Sequence, residues 1–313
     1  MSKKTTYLLG ILLTIILGTF LYWKFCCGCC KEDSCDRKDK IEETVVDNNF
    51  VETKKTTVNP FAFKDDNGDF SLNIDDNFNF NASQFSLLDS ISGNVNDGII
   101  QLKDYLDTNN LKRLNITGYY TSEETNNSAF PNLGLARANA VKNHFISKGV
   151  SSRLINTYGK LNDDLVPNAD NVFFGPLDFG ISTRVEGNTA DGDALKASCE
   201  AIKANPLVLY FNTGEAAINL TVEQRQKIAD ISRCVDKMGV KVQVVGHTDN
   251  TGDAANNVVL GQQRADFAKN YLIRNGILSG NIVTSSKGQT EPIADNTTEE
   301  GKTKNRRTVV TIN

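Results

Sequence analysis

Gly246 to Arg264 reads GHTDNTGDAANNVVLGQQR. The alternating run Lys241 to Val245 ahead of it predicts a strand, and apolar residues at helical spacing resume after it. The stretch therefore sets an acid, Asp249, at the end of a strand and a base, Arg264, fifteen residues later on a helix. Opposite charges placed in this way suit a small zwitterion.

Elements on either side complete a pattern. Leu207 to Phe211 (LVLYF) reads as a buried strand. Thr221 with Gln224 forms a capping box that opens a helix, whose Val222, Ile228, Ile231, Val235 and Met238 are spaced for one face. Gly239 ends it. The helix after Asp249 is expected to carry Leu260, Phe267, Ala268, Tyr271 and Leu272 inward and to stop at Gly276. Asn281 to Ser286 and Arg306 to Ile312 add two strands around a polar loop. The order βαβαββ predicts an α/β (α+β) two-layer sandwich, a sheet with helices packed on one face.

The same unit occurs twice. Leu133, Gly134, Arg137, Ala138, Lys142, Asn143, Ile146 and Gly149 recur 127 residues later as Leu260, Gly261, Arg264, Ala265, Lys269, Asn270, Ile273 and Gly276. Eight identities at one offset point to an internal repeat rather than to composition. Leu114 to Gly118 corresponds to Val242 to Gly246 with one residue of slippage. The first copy is predicted to have a strand at Phe78 to Phe80, a helix near Val95 to Leu106, a strand at Arg113 to Thr117 and a helix near Leu133 to Ser147. The boundary between copies is placed near Gly187, giving domains at 60–187 and 188–313.

Ahead of both, Tyr7 to Trp23 runs seventeen residues without a charge. As a helix this is about 26 Å long, close to the hydrocarbon thickness of a bilayer. It is longer than the apolar core of a typical signal peptide, and no A-x-A-like cleavage site follows. Residues 1–30 are therefore read as a single transmembrane anchor, with Lys3, Lys4 and the several lysines after the span leaving its orientation open. Cys26, Cys27, Cys29 and Cys30 are too compact for a structural zinc site with separated knuckles, and no metal or other cofactor is assigned. Residues 31–59 are polar and read as a flexible linker. Net charge is −4, which argues against a nucleic-acid partner, because phosphate binding needs clustered Lys and Arg. The two histidines, His144 and His247, stand isolated, and no zinc ligand set, Cys/His pair or convergent carboxylates appear. The chain is read as a non-enzyme.

Four motifs in the second copy resemble the OmpA-like peptidoglycan-binding family: the turn Gly246 to Asp249, the helix start Asn257 to Ala265, the loop Pro292 to Asn296 and the closing Asn305 to Arg307. The one departure is Gly261, where that family usually has Ser. The resemblance implies that this domain binds the diaminopimelate of a peptidoglycan stem peptide, whose α-carbon bears an ammonium and a carboxylate. By the same implication Asp249 accepts from the ammonium and Arg264 grips the carboxylate. A guanidinium suits that second role because its planar fork presents two parallel donors. Asn257 matches a ligand-bonding position, Thr248 assists through hydroxyl or backbone, and Arg307 is included beside the more ambiguous Arg306. Taken alone, Asp249 reads first as a turn cap and Arg264 as a partner for Asp253 or Asp266, and only the four-motif context favours ligand roles.

The first copy departs where binding is concerned. Thr121 or Ser122 stands in place of Asp249 and Phe130 in place of Asn257, although Arg137 persists and Glu123 and Glu124 lie close by. It is read as a degenerate domain with a lost pocket, serving as a spacer or a protein-partner surface. The persistence of Arg137 also implies that Arg264 serves the fold as well as the ligand. The resemblance settles the orientation: both domains in the periplasm of a Gram-negative bacterium, anchored in the inner membrane. There Cys199 and Cys234 either pair or remain buried free thiols. The expected function is noncovalent, non-catalytic anchoring to peptidoglycan. The alternative is a stator-like or other envelope machine whose domains mainly bind protein partners, although the apolar span carries no acid for ion conduction.

Overall fold

The computed structural model describes residues 55–65, 70–88, 90–184, 190–210 and 219–313. All of these belong to one compact unit with two lobes, each built on its own core. The anchor expected in residues 1–30, most of the linker and the boundary near Gly187 lie outside the described residues, among which no helix is long and apolar enough to cross a membrane.

The first lobe contains β1 (Phe61–Lys64), β2 (Ser71–Ile74), β3 (Asn79–Asn81), α1 (Gly93–Thr108), β4 (Lys112–Tyr120), α2 (Leu133–Ser147), β5 (Ile155–Leu161), β6 (Val172–Phe174) and β7 (Leu177–Thr183). Strand β4 alternates strictly, with Leu114 and Ile116 buried and Arg113 and Asn115 on the other face, so one side of the sheet meets the helices and the other meets solvent. Its neighbours are β5, parallel, and β7, antiparallel. Val95, Ile99, Leu102 and Leu106 of α1 and Ala138, Val141 and Phe145 of α2 close the core with Phe61, Phe78 and Phe179. Phe61 meets Phe179 edge-on at 4.9 Å.

The second lobe runs α3 (Ala190–Ala204), β8 (Leu207–Tyr210), α4 (Val222–Met238), β9 (Val242–His247), α5 (Ala254–Arg274), β10 (Ile282–Gly288), α6 (Glu299–Asn305) and β11 (Arg307–Ile312). Its sheet has the order β10-β9-β11-β8, with β10 parallel to β9 and β11 antiparallel to both β9 and β8. The capping box forms as expected: Thr221 Oγ1 accepts from Gln224 N, and Gln224 Oε1 accepts from Thr221 N. Gly239 ends α4 at φ 71°. Ile228, Ile231 and Val235 are buried, whereas Val222 and Met238 at the helix ends are exposed.

Three further points differ from the sequence expectation. Helix α3, absent from the βαβαββ reading, packs Cys199 and Ile202 into the core, and Cys199 forms a disulfide with Cys234 of α4. The polar loop before the last strand contains α6, capped by Thr298. Leu260 points outward at 40% exposure, because the residue facing the sheet is its neighbour Gly261. A Cβ on Gly246 would lie 1.8 Å from the Gly261 carbonyl oxygen, so α5 crosses β9 at a separation only glycine permits. The first lobe has the same crossing, with a Cβ on Gly118 falling 2.0 Å from Gly134 O. Gly149 and Gly276, just past the ends of α2 and α5, both adopt φ 93°.

The lobes share an interface. Lys142 of α2 pairs with Asp236 of α4 at 2.5 Å, and Asn143 Nδ2 donates to Gly276 O. Ala129, in the loop before α2, joins the core of the second lobe, and its N–H donates to Asn275 Oδ1.

Candidate functional site

Strand β9 ends at His247, and the chain then crosses the carboxyl end of the sheet before entering α5 at the N-cap Asp253. Thr248 is held in this crossing by its N–H, which donates to Gly288 O at 2.9 Å, and its hydroxyl donates to Asp249 O. One Asp249 oxygen accepts from Thr251 N at 2.9 Å and the other from Arg306 Nη1 at 2.8 Å. Burial pushes the Asp249 carboxyl up, but the hydrogen bonds from Arg306 and Thr251 outweigh this and hold it below the usual carboxylate range. It is an anion at neutral pH.

Arg264 rises from α5 behind this turn. Its Nη1 donates to His247 O at 2.9 Å, and no other hydrogen bond from its guanidinium is made among the described residues. Burial lowers its pKa, while the Asp249 charge acts in the opposite direction. Neither Asp253 nor Asp266 pairs with it: Asp253 caps α5, and Asp266 accepts from Gln262 and Thr284.

Asn257 lies one turn into α5 and is buried, its amide donating to Thr251 O at 3.1 Å and Gln289 Oε1 at 2.6 Å. It ties the β9–α5 crossing to the end of β10. Arg307 is also buried, with Nη2 donating to Glu291 O at 3.1 Å, and so fastens the loop before α6. The arginine brought to Asp249 is Arg306, which also bonds Glu299 Oε1 at 3.0 Å. Thr248, Asp249, Arg264 and Arg306 thus share the mouth of one sheet end. Asn257 and Arg307 sit beneath it as supports. His247 is buried with Nδ1 unpartnered, and its pKa is pushed down to about 4 by burial first and by the nearby Arg307 charge second. It is a neutral imidazole at pH 7.

The equivalent place in the first lobe differs in one respect. Arg137 Nη1 donates to Tyr119 O at 2.9 Å, matching the bond from Arg264 to His247 O. The rest of the Arg137 fork is taken internally: Nη1 and Nη2 both reach the Glu124 carboxylate, and Nε donates to Gln84 O. Glu123 makes no such contact among the described residues. Phe130, at the sequence position corresponding to Asn257, is buried in a loop, because α2 begins at Leu133, the counterpart of Leu260, whereas α5 already begins at Ala254.

Residues 210–306 match the family model described as OmpA family. This part of the chain is an OmpA-like domain. A 120-residue stretch of the chain is 34% identical to the peptidoglycan-binding protein ArfA of Mycobacterium tuberculosis, covering 38% of this chain and 36% of that protein. It is also similar to the probable lipoprotein YiaD of Escherichia coli, 45% identical over 71 residues, or 23% of this chain and 32% of that one. Each match thus spans about a third of the relative's length. Among solved structures, the C-terminal domain of Helicobacter pylori MotB aligns at 29% identity and a TM-score of 0.29, covering 35% of this chain and 84% of that one.

Proposed function

We propose that the OmpA-like domain attaches this protein noncovalently to peptidoglycan by holding the free α-ammonium and α-carboxylate of diaminopimelate in a stem peptide. The observation that carries this reading is the contrast between two arginines in the same fold position. Both give one donor to the strand-end carbonyl, which is their share in the fold. Arg137 spends the remainder on Glu124, an internal carboxylate, and on the main-chain oxygens of Gln84 and Asn81, while the same part of Arg264 makes no hydrogen bond among the described residues. A ligand carboxylate at Arg264 would occupy the place that Glu124 takes in the first lobe. Each charge-assisted bond of this kind is worth about 1.5–3 kcal/mol.

Asp249 is the acid for the ammonium. Its pairing with Arg306 leaves it ionised, and a carboxylate has lone pairs for further donors. Thr248 contributes its hydroxyl oxygen as an acceptor at the rim. Asn257 and Arg307 act by fixing the two loops. Relatives named for peptidoglycan binding or association support the choice of ligand.

On this reading the first lobe, residues 60–187, is a degenerate second copy produced by duplication. Support comes from the eight identities at one offset, the shared β5-β4-β7 and β10-β9-β11 arrangements, and the paired glycine crossings. Residues 1–30 anchor the protein in a membrane, 31–59 form the tether, and the lobes face the periplasm. A tether keeps local concentration high, so weak single-site binding to a repeating polymer suffices. No chemical step is assigned. The test is co-sedimentation with sacculi of diaminopimelate type beside sacculi whose stem peptides carry lysine, which lacks the second carboxylate. Pelleting with the first alone is expected, and equal pelleting with both contradicts the ligand assignment.

A further inference from the structure

Away from the wall-binding mouth, the solvent face of the first lobe's sheet meets α3 and α4 of the second lobe in a groove of about 620 Å³. Five cations line it: Arg113 from β4, Arg153 from the turn before β5, Arg184 after β7, and Arg233 and Lys237 from α4. Among the described residues its lining contains no carboxylate, in a protein whose net charge is −4. None of the five makes an ion pair among the described residues. The nearby acids of α4 make their hydrogen bonds outside the groove, Asp236 with Lys142 at 2.5 Å and Asp230 with Gln226 at 3.1 Å, while their charges reach Lys237 and Arg233 and offset only part of the cationic field. Asp193, between Gly192 and Leu195 on α3, is exposed and likewise unpaired among the described residues.

Such a concentration of like charge is costly to assemble, and its effects are visible. Lys237, with Nζ donating to Arg153 O and Ile155 O, has its pKa pushed down to about 8, by burial first and then by Arg113. Arg113 is lowered by burial and by Arg184. The floor between the cations is neutral and polar. Asn156 Nδ2 donates to Asn115 Oδ1 at 2.8 Å and Asn115 Nδ2 to Ser182 Oγ at 2.9 Å, a row of amides and hydroxyl across three strands. Tyr158 flanks the row, 51% exposed.

We propose that this groove binds a phosphate-bearing saccharide, the arginines taking the phosphate oxygens and the Asn–Ser–Tyr floor taking the sugar. Guanidinium groups match the planar pairs of phosphate oxygens bidentately, and several around one dianion suit phosphate better than a single carboxylate. Amides, a hydroxyl and an exposed tyrosine ring supply the donors, acceptors and flat apolar face that a sugar ring uses. The site is separate from Asp249 and Arg264 and does not depend on the peptidoglycan reading.

The test is calorimetric titration of the whole protein with glucose 6-phosphate, glucose and inorganic phosphate. Glucose 6-phosphate is expected to bind, glucose not to, and inorganic phosphate to bind roughly tenfold more weakly than the sugar phosphate. Arg184→Gln with Arg233→Gln, both at exposed positions, is expected to weaken glucose 6-phosphate roughly tenfold or more with an unchanged melting temperature. Asp249→Ala is expected to leave that binding intact. Inorganic phosphate binding as tightly as the sugar phosphate overturns the saccharide assignment. Absence of binding, or binding indifferent to the two arginine substitutions, overturns the site.

Discussion

At the scale of single residues, the site turns on how a guanidinium divides its donors. Arg264 gives Nη1 to His247 O, and the charge of Asp249 acts on its guanidinium. Arg264→Lys keeps the charge but removes the fork, so wall affinity is expected to fall roughly tenfold or more, read as loss of protein from the sacculus pellet. His247 supplies a separate prediction. Its folded pKa of about 4 lies below the ordinary value of 6.5, so folding disfavours its protonation. The stability this represents is fully present above pH 6.5 and is lost as pH falls from there toward 4. Urea unfolding at pH 7 and pH 4 is expected to show a smaller pH-dependent loss in His247→Gln than in the wild type. Equal losses would remove His247 from the account. The sequence placed Asp249 and Arg264 near one another but did not show which of two adjacent arginines reaches the acid. Arg306 and Arg307 differ by one step at the start of a strand, where neighbouring side chains take opposite faces, and only the onset of β11 decides which one turns inward.

At the scale of elements, the paired glycines Gly246 and Gly261 explain why Leu260 faces outward. Apolar periodicity puts Leu260 on the inner face, but the backbone contact with Gly246 requires Gly261 there, and neighbours on a helix point about 100° apart. Gly246→Ala must separate α5 from β9 and is expected to cost on the order of 3 kcal/mol, measured by denaturant midpoint. Gly93→Ala, with nothing within 4 Å of the added atom, is the near-neutral control. The capping box was legible because its chemistry is local to four residues, and Thr221→Ala is expected to cost about 1 kcal/mol. Helix α3 carries a periodic signal of its own. Leu195, Cys199 and Ile202 fall at helical spacing, but the polar run ahead of them reads as a domain boundary near Gly187 and hides the start of the helix.

At the scale of the whole molecule, the described residues join two lobes that were read as separate domains. A one-sequence reading finds repeats but not the contacts between them, since Ala129 and Asn275 stand 146 residues apart. The disulfide links residues 35 apart and clamps α3 onto α4. A closed loop of that length is worth about 3–4 kcal/mol through the unfolded chain, so reduction is expected to lower the unfolding free energy by that amount. The lobe arrangement also gives the first lobe a role. It packs against the OmpA-like domain and shares a cationic groove with it, while its arginine is closed off by Glu124.

The central claim is that Asp249 and Arg264 hold the diaminopimelate zwitterion. Its most direct test is co-sedimentation of the whole protein with purified diaminopimelate-type sacculi, beside Asp249→Ala and Arg264→Ala, each first checked for a cooperative melt. Wild-type protein is expected in the pellet and both variants, folded, in the supernatant. Folded variants that pellet as fully as the wild type would contradict the claim.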